Sequence, residues 1–227
     1  MKDNNFSLDV FSSKTYETHY DKICIPIFRI IEDQKLKIKT VLDLGCGSGG
    51  FGRRFVDRGY DVTFADARKS NLSKVKTFYK GAKTRVCNVE IDSVQKLGNY
   101  DLILCMGLIY HLQDPYKLFK QLSKMSRNVF VESTCLDHDG YQIIFLNEST
   151  DPAQFSATGN ACRPSPGWVE ENLFRSGFRV VKDVSCGSAN QKPGRGFSGK
   201  VFDWNFKRTC GWRRNDCVLR KLFLAQK

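Results

Sequence analysis

Short apolar runs alternate with segments of helical periodicity along most of this chain. The apolar runs predict β-strands at 41–44, 62–65, 84–89, 100–106, 128–132, 178–184 and 218–225. The segments between them predict helices at 50–58, 71–79, 114–125 and 168–176. Strands that alternate with helices through short connections indicate an α/β fold, with a doubly wound, mostly parallel seven-stranded sheet and helices on both faces.

The first part of the chain, 1–39, carries apolar residues at steps of three and four and predicts an N-terminal helical lid. Pro26 interrupts the pattern, so we expect it to kink this helix or to start a second one. The aromatic residues Tyr16, His19 and Tyr20 either cover a ligand or pack the lid onto the sheet.

Two further segments break the strand–helix alternation. Residues 135–166 are mostly polar and contain several prolines, and residues 186–216 separate the last two predicted strands. Long irregular connections in a compact domain are usually functional or disordered. We therefore expect a single domain spanning 1–227, with a cap segment at 135–166 and a basic, aromatic insertion at 186–216.

A glycine-rich turn follows the first predicted strand, at 45–50. Glycine lacks a Cβ and adopts positive φ, so this turn brings bare backbone close to a ligand at the start of a helix. Gly45, Gly47 and Gly50 fit the G-x-G-x-x-G pattern of dinucleotide-binding folds, and Asp66 follows at a suitable distance for a ribose. The turn thus predicts a nucleoside-containing cofactor, and an oxidoreductase is one interpretation.

The stretch 43–49, Asp-Leu-Gly-Cys-Gly-Ser-Gly, resembles motif I of the class I S-adenosylmethionine-dependent methyltransferases. The acidic residue two positions before the first glycine favours this family over the dinucleotide enzymes. The resemblance extends from about residue 40 to 115, and more weakly to the C-terminus. It implies an S-adenosyl-L-methionine cofactor and a Rossmann-like sheet, whose C-terminal strand we expect to be antiparallel.

The resemblance also implies a set of cofactor contacts. These expected cofactor-binding residues are Asp43, Gly45, Cys46, Gly47, Asp66, Ala67, Asn88, Val89 and Cys105. Asp66 would take the ribose hydroxyls, although a strand-end aspartate can also cap a helix. Asn88 stands where the family usually has an aspartate beside the adenine, so Glu90 could serve there instead.

The acceptor side is indicated by residues 107–115, Gly-Leu-Ile-Tyr-His-Leu-Gln-Asp-Pro. They resemble the Tyr-His-Leu-x-Asp-Pro segment of several class I methyltransferases, including tRNA wobble-uridine and small-molecule branches. His111 would be a catalytic base at the mouth of the pocket, since imidazole has a suitable pKa, or a histidine held in the turn. We expect Tyr110, Asp137 and His138 to contact the substrate, with Glu132 a further candidate.

The formal net charge is +12, and most of the excess lies near the C-terminus. From Lys192 onward ten basic residues face two acidic ones. Such a surface suits nucleic acid, phosphorylated metabolites or anionic glycans, and it also suits simple solubility.

The nine cysteines are scattered and include no C-x-x-C pair. This pattern favours reduced thiols in a cytoplasmic protein, and we expect neither a disulfide framework nor a bound metal. No apolar run is long enough for a transmembrane helix, and residues 1–7 lack the pattern of a secretory signal.

Together these features predict a methyltransferase acting on oxygen, or on nitrogen, of a small-molecule or saccharide acceptor, possibly an anionic one. The alternative is an RNA methyltransferase, with the basic C-terminal segment on phosphates. A non-catalytic subunit that keeps the fold is a third interpretation, which the intact glycine turn and Asp66 disfavour. The oligomeric state is open.

Overall fold

The computed structural model describes residues 14–148, 156–185 and 218–227. Within them the helices are α1 (Lys14–Asp33), α2 (Gly50–Val56), α3 (Lys69–Phe78), α4 (Pro115–Met125) and α5 (Pro166–Arg175). The strands are β1 (Thr40–Leu44), β2 (Asp61–Asp66), β3 (Lys83–Val86), β4 (Leu102–Met106), β5 (Asn128–Leu136), β6 (Ile143–Asn147), β7 (Asn160–Pro164), β8 (Val180–Asp183) and β9 (Val218–Gln226). Short 3₁₀ turns occupy Val94–Leu97 and Ile109–His111.

Seven strands form one sheet in the order β3-β2-β1-β4-β5-β9-β8. The pairs β3–β2, β2–β1, β1–β4 and β4–β5 are parallel, whereas β9 runs antiparallel to both β5 and β8. The prediction of a mostly parallel seven-stranded sheet with an antiparallel C-terminal strand is confirmed. The carboxyl ends of β1, β2, β4 and β5 therefore lie along the same edge of the sheet, where open α/β sheets bind ligands.

Two apolar clusters cover the two faces of this sheet, as the doubly wound prediction requires. Adjacent strand residues point to opposite faces, so Val41 packs with α1, α2 and α3, whereas Leu42 packs with α4 and α5. Both side chains are fully buried. Continuous apolar strands such as β4 follow from this burial on both faces.

Helix α1 is part of this core as well as a lid. It runs as one helix through Pro26, and Tyr20 and Ile27 are buried in the same cluster as α2. Arg54 of α2 also binds two acidic residues of α1. Its Nε lies 2.7 Å from Oδ1 of Asp21, and its Nη2 lies 2.8 Å from Oε2 of Glu17. Residues 1–13 of the predicted lid lie outside the described residues.

The cap segment is more regular than the sequence indicated. Strand β5 continues to Leu136, and β6 and β7 form a separate antiparallel hairpin. The expectation of an irregular segment at 135–166 was therefore wrong for these strands. The last part of β5 was missed in the sequence because Ser133 and Thr134 interrupt the apolar run, although both are buried in the structure.

Candidate functional site

The turn after β1 exposes the backbone of its glycines to a cavity. Gly45, Gly47 and Gly49 all adopt positive φ, at 71°, 54° and 85°. The N–H groups of Gly45 and Cys46 both donate to the carbonyl of Ala65, at 2.8 and 3.0 Å. A Cβ at Gly45 would lie 2.8 Å from a methyl carbon of Leu108, so that any side chain there would crowd the cavity wall.

Asp43 lies behind this turn. Its Oδ2 accepts a hydrogen bond from the N–H of Gly52 at 2.8 Å, which fixes the start of α2. The carboxyl group is buried and does not line the cavity, so the expected direct contact with a cofactor is replaced by a supporting role. Burial raises its pKa to about 7, against the hydrogen bond from Gly52.

Asp66 ends β2 and lines the cavity. Its Oδ2 accepts from the N–H of Gly47 at 2.9 Å, and its Oδ1 accepts from the N–H of Arg68 at 2.8 Å and from Nδ2 of Asn71 at 3.1 Å. Burial raises its pKa despite these bonds. The carboxylate thus holds the start of α3 and also faces the cavity, while its contact with a ribose stays a prediction.

The wall after β3 consists of Asn88, Val89 and Glu90. Oδ1 of Asn88 accepts from the N–H of Glu90 at 3.1 Å, so the amide N–H groups of Asn88 are its remaining donors. Glu90 is engaged by the cap, with Oε1 3.3 Å from Nδ2 of Asn160 and a short contact between Oε2 and Oγ1 of Thr158. Glu90 therefore ties the cap to the site.

These elements enclose one cavity of about 1080 Å³, its open mouth included. The expected residues Gly45, Cys46, Gly47, Asp66, Ala67, Asn88, Val89, Tyr110 and His111 all line it. Cys105 does not, because it points into the core of the α4–α5 face, and Met106 takes its place at the end of β4.

His111 is buried beside the cavity and pairs with a carboxylate from the cap. Its Nδ1 lies 2.6 Å from Oε2 of Glu148, whose Oε1 is 3.2 Å from Nη2 of Arg163. Burial lowers the pKa of His111, although Glu148 opposes this shift. Burial acts to raise the pKa of Glu148, but the hydrogen bond from His111 and the charge of Arg163 hold it below its usual value. Because an ionised carboxylate can only accept, Nδ1 of His111 is the donor of this hydrogen bond.

A second buried carboxylate, that of Glu132 in the middle of β5, lines the cavity. Oε1 of Glu132 lies 2.5 Å from Nη1 of Arg220 on β9, and Nη2 of Arg220 lies 3.4 Å from the Tyr110 hydroxyl. Oε2 of Glu132 is buried and makes no hydrogen bond within the described part of the chain. Arg220 was missing from the sequence-derived site, because nothing near it in the sequence marks a strand that returns beside β5.

The lid contributes His19 and Tyr20 to the cavity wall. Tyr20 packs edge-on against Phe51, with ring centroids 4.8 Å apart, and His19 meets the same ring at 5.9 Å. Burial and the nearby charge of Arg220 lower the pKa of His19 to about 4. His19 and Tyr20 therefore both pack the helix onto Phe51 and line the cavity, whereas the side chain of Tyr16 lies outside the described part of the structure.

Asp137 and His138 are not brought to the cavity. Both are exposed, and Nδ1 of His138 accepts from the N–H of Gly140 at 2.8 Å. The continuation of β5 to Leu136 carries them beyond the end of the site. We leave them out of the proposed substrate contacts. The basic insertion at 186–216 lies outside the described residues.

Six cysteines of the described residues are buried thiols without disulfide partners. The described part of the chain holds no group of three or more metal-ligating side chains, and the expectation of a metal-free protein stays a prediction. Among the described helices, none combines the length and apolar character needed to span a bilayer.

Known proteins share this fold and parts of the sequence. The family model described as a methyltransferase domain matches residues 16–182. A ubiquinone biosynthesis O-methyltransferase of Rickettsia felis is 32% identical over 33% of this chain and 31% of its own length. A tRNA U34 carboxymethyltransferase of Pseudoalteromonas translucida is 28% identical over 67% of this chain and 48% of its own length.

The structure of the N-terminal domain of EvdMO1 with SAH bound superposes with a TM-score of 0.66 at 16% identity, covering 88% of this chain and 80% of that one. This likeness concerns the fold. The alignments to the two curated relatives span about a third to a half of their lengths. The family model covers well over half of this chain, and the chain therefore belongs to the methyltransferase domain family, within the class I S-adenosylmethionine-dependent methyltransferases.

Proposed function

We propose that this protein transfers a methyl group from S-adenosyl-L-methionine to an oxygen, or a nitrogen, of a small-molecule acceptor in the cytoplasm. The observation that carries this proposal is the cavity at the carboxyl edge of the sheet. In it the positive-φ turn at Gly45 and Gly47 and the carboxylate of Asp66 face one space. The curated relatives support the reaction class but differ from one another in acceptor.

The residues of this cavity fit the cofactor. At Gly45 a Cβ would intrude on the cavity wall, and the backbone there is accordingly bare. We assign the ribose hydroxyls to Asp66, whose Oδ2 accepts one hydrogen bond within the protein and has a second lone pair for a ligand, and the adenine edge to the amide of Asn88. When bound, S-adenosyl-L-methionine supplies an activated methyl group on a sulfonium sulfur.

The protein's part is then to align an acceptor and to receive its proton. His111 is suited to that second task. Its Nδ1–H is committed to Glu148, so Nε2 is the basic nitrogen of the ring. We propose that Nε2 takes the proton of the acceptor hydroxyl while Glu148, fixed by Arg163, holds the tautomer.

Asp66→Asn tests the cofactor site. This variant keeps the shape that supports the turn but removes the charge from the bonds to a ribose, so we expect SAH affinity to fall by about tenfold to a hundredfold. Isothermal titration calorimetry measures it. Asp61→Asn is the matched control, because Asp61 is exposed at the other end of the same strand and pairs with Lys83.

Equal SAH affinity for the two variants would remove Asp66 from the site. The acceptor itself is identified by incubating the full chain with methyl-labelled cofactor and separate pools of small metabolites and RNA. Label entering a small metabolite supports the proposal. Label that enters only RNA would replace it with RNA modification.

A further inference from the structure

Glu132 lies where the reacting groups of an acceptor would be expected. Glu132 pairs with Met106 in the last register position of the β4–β5 ladder, and both residues line the cavity. Its side chain is fully buried. His111 and Tyr110 lie on the same wall. Asp66, the last residue of β2, and Asn88, which follows β3, line the cavity nearer the other end of the sheet.

One oxygen of this carboxylate has no partner. Oε1 is satisfied by Arg220, but Oε2 is buried and receives no hydrogen bond from the residues that the structure describes. Buried polar atoms in native proteins are nearly always hydrogen-bonded, and an exception calls for an explanation such as a ligand. Since Glu132 lines the cavity, a ligand entering it can supply the missing donor.

The ion pair with Glu132 also neutralises the positive charge of Arg220. Two arginines line the described part of the cavity wall, and each is engaged within the protein. Arg220 binds Glu132 and the Tyr110 hydroxyl, while Nη2 of Arg68 donates to the carbonyl of Ser156 at 2.7 Å. Arg68 keeps its charge but lies beside Asp66, after β2, so an anionic ligand at Glu132 would meet a carboxylate oxygen whose neighbouring arginine, Arg220, is already paired.

The remaining surroundings are apolar or aromatic. Met106, Leu108, Phe51 and the ring of Tyr110 contribute to the same cavity. The guanidinium carbon of Arg220 lies 5.8 Å from the centre of the Tyr110 ring, which orients the ion pair against that wall. Such surroundings favour a ligand with a flat or apolar body and a single donor group.

We propose that the Glu132–Arg220 pair is a recognition site for the methyl acceptor, which binds Oε2 of Glu132 through a hydroxyl or a protonated amine. The site selects neutral or cationic acceptors against carboxylates and phosphates. This inference rests on the proposed methyl transfer and narrows its acceptor class. It departs from the anionic acceptor that the basic segment 186–216 led us to expect.

Three matched probes test the charge preference, namely benzylammonium, benzyl alcohol and benzoate. Their binding to the SAH-loaded full chain is measured by ligand-observed NMR. We expect benzylammonium and benzyl alcohol to bind at least about tenfold more tightly than benzoate, because only they donate to a carboxylate. Glu132→Gln releases the charge of Arg220, so the order should reverse in favour of benzoate.

Asp183→Asn is the control, since Asp183 forms an equivalent ion pair with the neighbouring Lys221 of β9 and does not line the cavity. It should keep the wild-type order. If Glu132→Gln fails to fold, the double variant Glu132→Gln/Arg220→Gln replaces it and should show no preference for either charge. Thermal unfolding monitored by circular dichroism reports folding.

Several outcomes overturn the proposal. One is a wild-type protein that binds benzoate as tightly as benzylammonium, or that binds neither benzylammonium nor benzyl alcohol. Another is a Glu132→Gln variant that keeps the wild-type order. A tenfold loss of SAH affinity in that variant with an unchanged probe order would assign Oε2 to the cofactor's own ammonium group. If the wild type binds no SAH at all, the proposed function fails, while the probe order on the SAH-free chain still decides the role of Glu132.

Discussion

The Nδ1 atom of His111 and Oε2 of Glu148 lie 2.6 Å apart, in a place where both side chains are buried. A carboxylate bonded to one imidazole nitrogen fixes which tautomer is present and makes the other nitrogen basic. Arg163 in turn fixes the carboxylate, and its Nη1 also donates to the carbonyl of Tyr110 at 3.2 Å. The three residues therefore act as one unit.

Replacing Glu148 by glutamine tests this unit. An amide can accept from Nδ1–H, but it can also present its own N–H groups and no longer enforces one tautomer. We expect kcat to fall by about tenfold or more while SAH affinity stays within twofold, because general bases contribute about 10²–10⁴ to rate. Steady-state kinetics on the acceptor found with methyl-labelled cofactor measure kcat. Glu171→Gln is the control, because Glu171 forms an exposed ion pair with Arg175.

The pH profile separates a positioning role from a purely structural one. Burial lowers the pKa of His111 below 6.5, so we expect the neutral form that is proposed as the base to persist below pH 6.5 and kcat to fall only at more acidic pH. Glu148 acts to raise the pKa of His111, so its loss should move the acidic limb of the pH profile of kcat to still lower pH. An unmoved limb in Glu148→Gln, together with unchanged kcat, would leave Glu148 without a part in catalysis.

At the scale of elements, the chain's periodicity predicted most of the sheet, because each parallel strand is an apolar run buried on both faces. The cavity lining beside β1 and β2 could be anticipated for a similar reason, since the turn at 45–50 and Asp66 are separated by one strand–helix unit. The lining beside β4 and β5 could not. Arg220 reaches Glu132 across 88 positions, and Glu148 reaches His111 across 37 from a polar segment without any motif.

Helix α1 shows how a single glycine determines the docking of an element. A Cβ at Gly50 would lie 2.2 Å from the Tyr20 ring, so α1 packs directly on the backbone of α2. The close approach also places His19 at the cavity wall. Packing at this position thus connects the core to the ligand space.

Gly50→Ala should destabilise the protein although alanine is the better helix former. Overpacking of this kind costs about 1–3 kcal/mol, and the Tyr20 ring is held by Phe51 and cannot move away freely. Thermal unfolding followed by circular dichroism should show a Tm lower by several degrees. Gly167→Ala in α5 is the matched control, because its Cβ would meet no atom closer than 3.5 Å. Equal Tm values for the two variants would contradict the packing argument.

At the scale of the whole molecule, the two apolar clusters meet the sheet from opposite sides, and one carboxyl group is buried between β1 and α2. Asp43 is 1% exposed, and its pKa rises from 3.8 to about 7. Burial is the main cause, because it disfavours the charged form. Between these two pH values the folded protein keeps a proton that the unfolded chain has released.

The contribution of Asp43 to stability is therefore fully present below about pH 3.8 and is lost as the pH rises through 7. Asp43→Asn cannot ionise and still accepts from the N–H of Gly52. From pH 5 to pH 8, we expect the wild type to lose about 1–3 kcal/mol of unfolding free energy relative to this variant. Urea unfolding at both pH values measures the difference. The exposed Asp57→Asn should follow the wild type, and parallel behaviour of all three proteins would show that Asp43 does not titrate in this range.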